Sequence, residues 1–193
     1  GGGSLQFSAV VYNLLAAYRA RHPDAAAQTP VVDYLVTGAW SEKAAQEARN
    51  LGARVNIVAT GRDLSTGAYS RVPPRDTWQL SGSSETAYFY YCANETVHGV
   101  ELGELPDGLP VDVPVVCDMS SNIMSRRVDV SRYGVIYAGA QKNMGAAGLT
   151  TRQVVCTPHP SQSCPKRRIS STIGRSAIPL SVSSYSTRGG DSA

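Results

Sequence analysis

Four side chains able to do chemistry stand just beyond apolar runs. Lys142 follows "VIYAGAQ", Asp118 closes "VPVVC", Trp40 comes three residues after "VVDYLVT", and Thr96 comes two after "TAYFYYCAN". Each has an ordinary reading. A lysine at a strand end is usually solvated, an aspartate there is usually a cap or turn residue, and a tryptophan can be core packing. The opening "GGGS" can be a flexible turn, and it lacks the GxGxxG spacing of a dinucleotide site. Together they match the needs of pyridoxal phosphate (PLP). Its aldehyde needs a lysine amine for a Schiff base, and the freed amine then carries protons. Its ring nitrogen needs a carboxylate that keeps it protonated, so that the ring accepts electrons. Its phosphate needs backbone N–H groups at a helix N-terminus, such as "GGGS" opening a helix. A flat aromatic face fixes the ring plane.

These residues need a scaffold that brings strand ends together. Phe7, Val10, Val11, Leu14 and Leu15 recur at helical spacing after Gly3. "VVDYLVT" (31–37), "RVNIVAT" (54–60), "TAYFYYCAN" (86–94), "VPVVCDM" (113–119) and "GVIYAGA" (134–140) read as buried strands. Ser41 is placed to cap a helix over "EKAAQEARNL", which Gly52 ends. Continuous apolar strands with helical or long connections predict an α/β fold, a mostly parallel sheet flanked by helices and covered on both faces. In such sheets ligands bind beyond the carboxyl ends of the strands. Trp40, Thr96, Asp118 with Ser120, and Gln141 with Lys142 would then gather on one rim.

Composition narrows the partners. Of the 193 residues, 42% are apolar and 17% charged, ordinary for a globular protein. Residues 1–150 hold 12 Lys/Arg against 14 Asp/Glu, a net of −2, whereas residues 151–193 hold 6 against 1, a net of +5. The basic character belongs to the tail, so no nucleic-acid footprint is expected on the domain. That tail, with ten serines and four prolines, reads as mostly disordered. Cys92 and Cys117 read as small core hydrophobes. Cys156, His159 and Cys164 lack a fourth ligand and the spacing of a zinc site, so no metal is expected. The absence of a disulfide framework favours a reducing compartment. No apolar run reaches membrane-spanning length, and a cytoplasmic location is expected.

The segments "DYLVTGAWSEKAAQEA", "YYCANETVHGVEL", "VCDMSSNIMSRRVDVSRYGVIYAGAQKNMGAAGLT" and the "GGG…QFSAV" opening resemble the phosphoserine aminotransferase family of fold-type I PLP enzymes. The resemblance implies that Lys142 forms the Schiff base and Asp118 pairs with the pyridine nitrogen. It also implies that Trp40 stacks on the ring, Thr96 hydrogen-bonds near its hydroxyl, and Gln141, Gly3 and Ser4 hold the phosphate. The implied reaction passes an amino group between glutamate and 3-phosphohydroxypyruvate to give O-phospho-L-serine, in L-serine biosynthesis, by a homodimer when intact. The alternatives are an inactive truncated fragment or another fold-type I PLP enzyme.

Three departures stand out. Leu5 replaces a family glycine and would be strained if its backbone needed a positive φ. "AVVYN" replaces "AVPxN", so Val11 stands where the pattern has proline, and that loss together with Tyr12 is expected to alter the following helix. The resemblance is read as ending at Thr150, so residues 1–150 are taken as the central part of a PLP-binding large domain. The start at "GGGS" is taken to lack a preceding segment.

Overall fold

The structure, a computed structural model, describes residues 2–25, 28–105, 107–145 and 150–154. Helix α1 (Ser4–Arg21) buries Phe7, Val10, Val11, Leu15 and Tyr18 along one stripe. It stops at His22, whose following Pro23 disfavours helical backbone. Strand β1 (Val31–Val36) leads into α2 (Ala39–Asn50) and then β2 (Arg54–Thr60). Gly52 ends α2 with φ +80°, a conformation that glycine adopts without steric cost. Next come β3 (Thr86–Cys92), the short β4 (Asn94–Glu95) and β5 (Val100–Glu101), β6 (Val115–Asp118), β7 (Val135–Gly139) and β8 (Thr150–Val154).

Six strands form one sheet in the order β2-β1-β3-β6-β7-β8, and β4 pairs with β5 as a separate ribbon. The β1–β2, β1–β3, β3–β6 and β6–β7 pairs are parallel. Only the β7–β8 edge pair of this sheet is antiparallel. The α/β expectation, a mostly parallel sheet with flanking helices, is what the chain forms. Each predicted strand exists; 54–60 keeps its bounds, and the other four are shorter by one to three residues.

Side chains alternate across the sheet as strand geometry requires. Val32, Tyr34, Tyr88, Tyr90, Val116 and Tyr137 face α1 and α2 in one core. Leu35, Phe89, Tyr91, Cys117 and Ile136 face the other way, against Trp78, Leu102, Val113 and Tyr133. Burying each such large side chain stabilises the fold by roughly 1.5–3 kcal/mol. Both described α-helices thus lie on one face, and irregular segments carrying Trp78, Leu102 and Tyr133 cover the second. Buried Asp33 pins one of these segments. Its carboxylate accepts the Ser81 N–H (3.0 Å), the Ser81 hydroxyl (2.7 Å) and the Asn56 amide (2.9 Å).

Three expectations change. Ser41 does not cap α2 from outside; it sits inside the first turn, and Gly38 is the cap. Leu5 is not strained, because it lies within α1 and, among the described non-glycine residues, only Met124 has a positive φ. The boundary at 150 falls at the start of β8, since the β-branched start of "TTRQV" pairs with β7. The remainder of the tail, 155–193, including Cys156, His159 and Cys164, lies outside the described residues.

Candidate functional site

The carboxyl ends of β1, β3, β6 and β7 converge at the N-terminus of α1. There a shallow cleft of about 90 Å³ is lined by Gly3, Ser4, Trp40, Asp118, Gln141 and Lys142, together with Phe7, Cys92, Asn94, Ser120 and Ser121. Six of the seven residues singled out from sequence are therefore around one opening. Thr96 is not in the lining: it is exposed, in the turn that links β4 to β5. Its carbonyl accepts the Gly99 N–H at 3.3 Å. A larger cavity of about 270 Å³, lined by Tyr91, Leu102, Arg126 and Tyr133, opens on the other face of the sheet and holds none of the seven. Chemistry rather than size picks the site.

Asp118 ends β6 with only 6% of its surface exposed. Even strand parity turns it toward the helix-covered face, like Val116 before it. Burial raises its pKa above the usual carboxylate value, while hydrogen bonds from Ser120 and Tyr137 pull the other way. The Ser120 N–H reaches its Oδ1 at 2.9 Å. Among the described residues no Lys, Arg or His forms an ion pair with Asp118. A buried carboxylate without a cation is costly, and it fits a ligand that brings a positive charge, such as a protonated ring nitrogen.

Lys142 and Gln141 follow β7 in a turn and are both exposed at the mouth of the cleft. The Gln141 side chain folds back over Gly139, where a Cβ would lie 2.6 Å from its oxygen. The Gly139 N–H donates to the Ser120 hydroxyl at 3.0 Å, which ties the ends of β6 and β7 together. Gly3 is the N-cap of α1 and has no capping side chain, and with Ser4 it lines the cleft, so this helix end lies beside the opening. Such a helix end favours a phosphate. Half-buried Trp40 lies in the first turn of α2, with the Lys43 ammonium 4.7 Å from its ring centroid. Cys92 is buried and its thiol pKa is raised well above normal by burial, so it is no nucleophile.

Sequence reasoning passed over Ser121, Asn94 and Glu95. Ser121 donates to the Asn94 carbonyl at 2.8 Å, joining two walls of the cleft. Glu95 is fully buried beneath α2, with its carboxylate against Trp40 and Ser41. The signal for Glu95 was an acidic residue beside the long buried strand 86–92, where a charge must find partners.

The aminotransferase class-V profile matches residues 1–166. The similarity therefore continues past Thr150, where the sequence reading ended it, through β8. The phosphoserine aminotransferase of Saccharomyces cerevisiae is 46% identical over 154 residues, 78% of this chain and 38% of that protein. The Drosophila melanogaster phosphoserine aminotransferase is 47% identical over 150 residues, 78% of this chain and 36% of that protein. Among solved structures, PLP-bound phosphoserine aminotransferase from Trichomonas vaginalis superposes with a TM-score of 0.62 at 44% identity, over 77% of this chain and 37% of that one. The chain thus spans well under half the length of these relatives. It carries the strand-end cleft on a mostly parallel sheet, and by sequence and fold it belongs to the aminotransferase class-V family.

Proposed function

We propose that this chain binds PLP in the cleft and serves phosphoserine transamination, moving an amino group between glutamate and 3-phosphohydroxypyruvate to give O-phosphoserine. One observation carries the reading. Asp118 is buried, with no ion-pair partner among the described residues, beneath a cleft whose mouth holds Lys142 and whose side holds Trp40. The named relatives, all phosphoserine aminotransferases, favour this substrate pair over those of other PLP enzymes.

PLP supplies an aldehyde for the substrate amine and a ring that accepts electrons. The chain's residues do the rest. Asp118 would hold a proton on the ring nitrogen by charge pairing, and the Ser120 N–H keeps its Oδ1 oriented. The Lys142 amine would hold the cofactor through its aldehyde and, when free, would take up the proton of the substrate Cα. Trp40 gives the ring plane a wall, while Gly3, Ser4 and Gln141 offer donors to the phosphate. Exposed Thr96 lies two residues beyond Asn94 of the cleft wall and outside the lining, so no cofactor contact is assigned to it. A homodimer belongs to this reading, tested by light scattering of the loaded protein, and so does a cytoplasmic location, tested by cell fractionation.

The test is a half-reaction. Glutamate added to the PLP-loaded chain should bleach its visible band, and 3-phosphohydroxypyruvate should restore it. A band indifferent to both, but bleached by another amino acid, would move the assignment to another PLP enzyme.

A further inference from the structure

Glu95 is fully buried and has no part in the chemistry above. Helix α2 needs an acceptor at its start, because its first N–H groups have no intrahelical partner. Its cap, Gly38, has no side chain to offer. Glu95 supplies the acceptor from β4, more than fifty residues later in the chain. Its Oε2 accepts the Trp40 N–H at 3.0 Å, and its Oε1 accepts the Ser41 N–H at 2.7 Å and the Ser41 hydroxyl at 2.6 Å. The Ser41 hydroxyl oxygen in turn accepts the Thr37 and Gly38 N–H groups at 3.0 and 3.2 Å. A negative charge at this helix end is favoured by the helix dipole.

The fit is tight on both sides. A Cβ on Gly38 would stand 2.5–2.6 Å from Cδ, Cγ and Oε2 of Glu95, so only glycine leaves room for this carboxylate. The residue before Glu95, Asn94, lines the cleft and accepts Ser121 through its carbonyl. Glu95 therefore joins the wall of the cleft that carries Asn94 to the wall that carries Trp40, and it grips Trp40 at the amide of that residue itself.

We propose that Glu95 is a positioning residue that sets where the Trp40 ring stands against the cofactor ring. The proposal rests on the PLP reading, but the hold on Trp40 is measurable without cofactor. The chain has two tryptophans, Trp40 and Trp78, the second on the opposite face of the sheet. The full chain labelled with 5-fluorotryptophan gives two fluorine resonances, assigned with Trp40→Phe.

In Glu95→Ala, the Trp40 resonance of the cofactor-free chain should move by more than its linewidth while that of Trp78 stays. The PLP dissociation constant should rise about tenfold, the scale of a lost helix cap. Glu95→Gln keeps one acceptor oxygen but turns an NH₂ group toward a backbone N–H, so it should give a smaller change in the same direction. If Glu95→Ala does not fold, Glu95→Gln decides by the same two readings. An unmoved Trp40 resonance, or Trp40 and Trp78 moving together, would overturn the proposal, the second result marking a general loosening. A parent chain that fails to bind PLP would overturn the cofactor reading instead. The two failures are distinct, because the fluorine shifts are read before PLP is added.

Discussion

At the scale of single residues, the site joins groups whose cost makes sense only with a ligand. Burial raises the Asp118 pKa, so the folded state holds its proton more tightly than the unfolded chain does. The sign of the linkage follows. The carboxylate imposes no penalty below its unfolded pKa, and the penalty grows as pH rises through its folded pKa. Cofactor-free Asp118→Asn should therefore match or exceed the parent in melting temperature at neutral pH, and lose that advantage in acid. It should also gain less from PLP than the parent does, because the ring nitrogen loses its counter-charge. Thermal melts at several pH values with and without PLP check this, and a variant stabilised by PLP as much as the parent would reduce Asp118 to a turn residue. Asp118, Lys142, Gln141 and Trp40 were legible because each follows an apolar run. Glu95 was not, since its partners are the backbone amides of a helix distant in sequence. Thr96 shows the converse, for a position near a strand end does not by itself put a side chain into the cleft.

At the scale of elements, the strands are keyed together by buried tyrosine pairs. The Tyr34 and Tyr88 hydroxyls meet at 2.8 Å between β1 and β3, and Tyr90 and Tyr137 meet at 2.8 Å on the same face. Tyr88→Phe leaves the Tyr34 hydroxyl buried and unpaired, which should cost roughly 1–3 kcal/mol, whereas the double change Tyr34→Phe with Tyr88→Phe should recover most of it. Urea unfolding of the single and double variants closes the cycle, and strictly additive losses would show that the pair is incidental. Gly38→Ala belongs to the same scale. Its methyl would press on Glu95, so overpacking should cost roughly 1–3 kcal/mol, and a melting temperature equal to the parent's would contradict the tight fit. Helix α1 and the five strands read from sequence were legible from period and β-branched content. The cap of α2 was misread because a serine in a first turn has the same local signature as a serine just before it. The cover of the second face escaped because Trp78, Leu102 and Tyr133 lie in segments without a period.

For the whole molecule, β8 carries the same lesson. "TTRQV" is polar and adjoins a Ser/Pro-rich stretch, so composition hid it, yet an edge strand needs no continuous apolar run, and among the described residues only β7 pairs with it. The sheet order places β6 and β7 as neighbours, and that adjacency sets Asp118 and Lys142 on one cleft. Ligand that binds only the folded state should raise stability by about 2.7 kcal/mol at a hundredfold excess over its dissociation constant. Chemical unfolding with and without PLP should show such a gain in the parent and a smaller one in Lys142→Ala, and equal gains in both would place the cofactor's attachment elsewhere. The most direct test of the central claim uses the lysine content. The chain has three lysines, Lys43, Lys142 and Lys166. Borohydride reduction of the PLP-loaded chain, followed by digestion and mass spectrometry, should find the cofactor's mass on Lys142 alone. Modification of Lys43 or Lys166 instead, or of no lysine, would contradict the account.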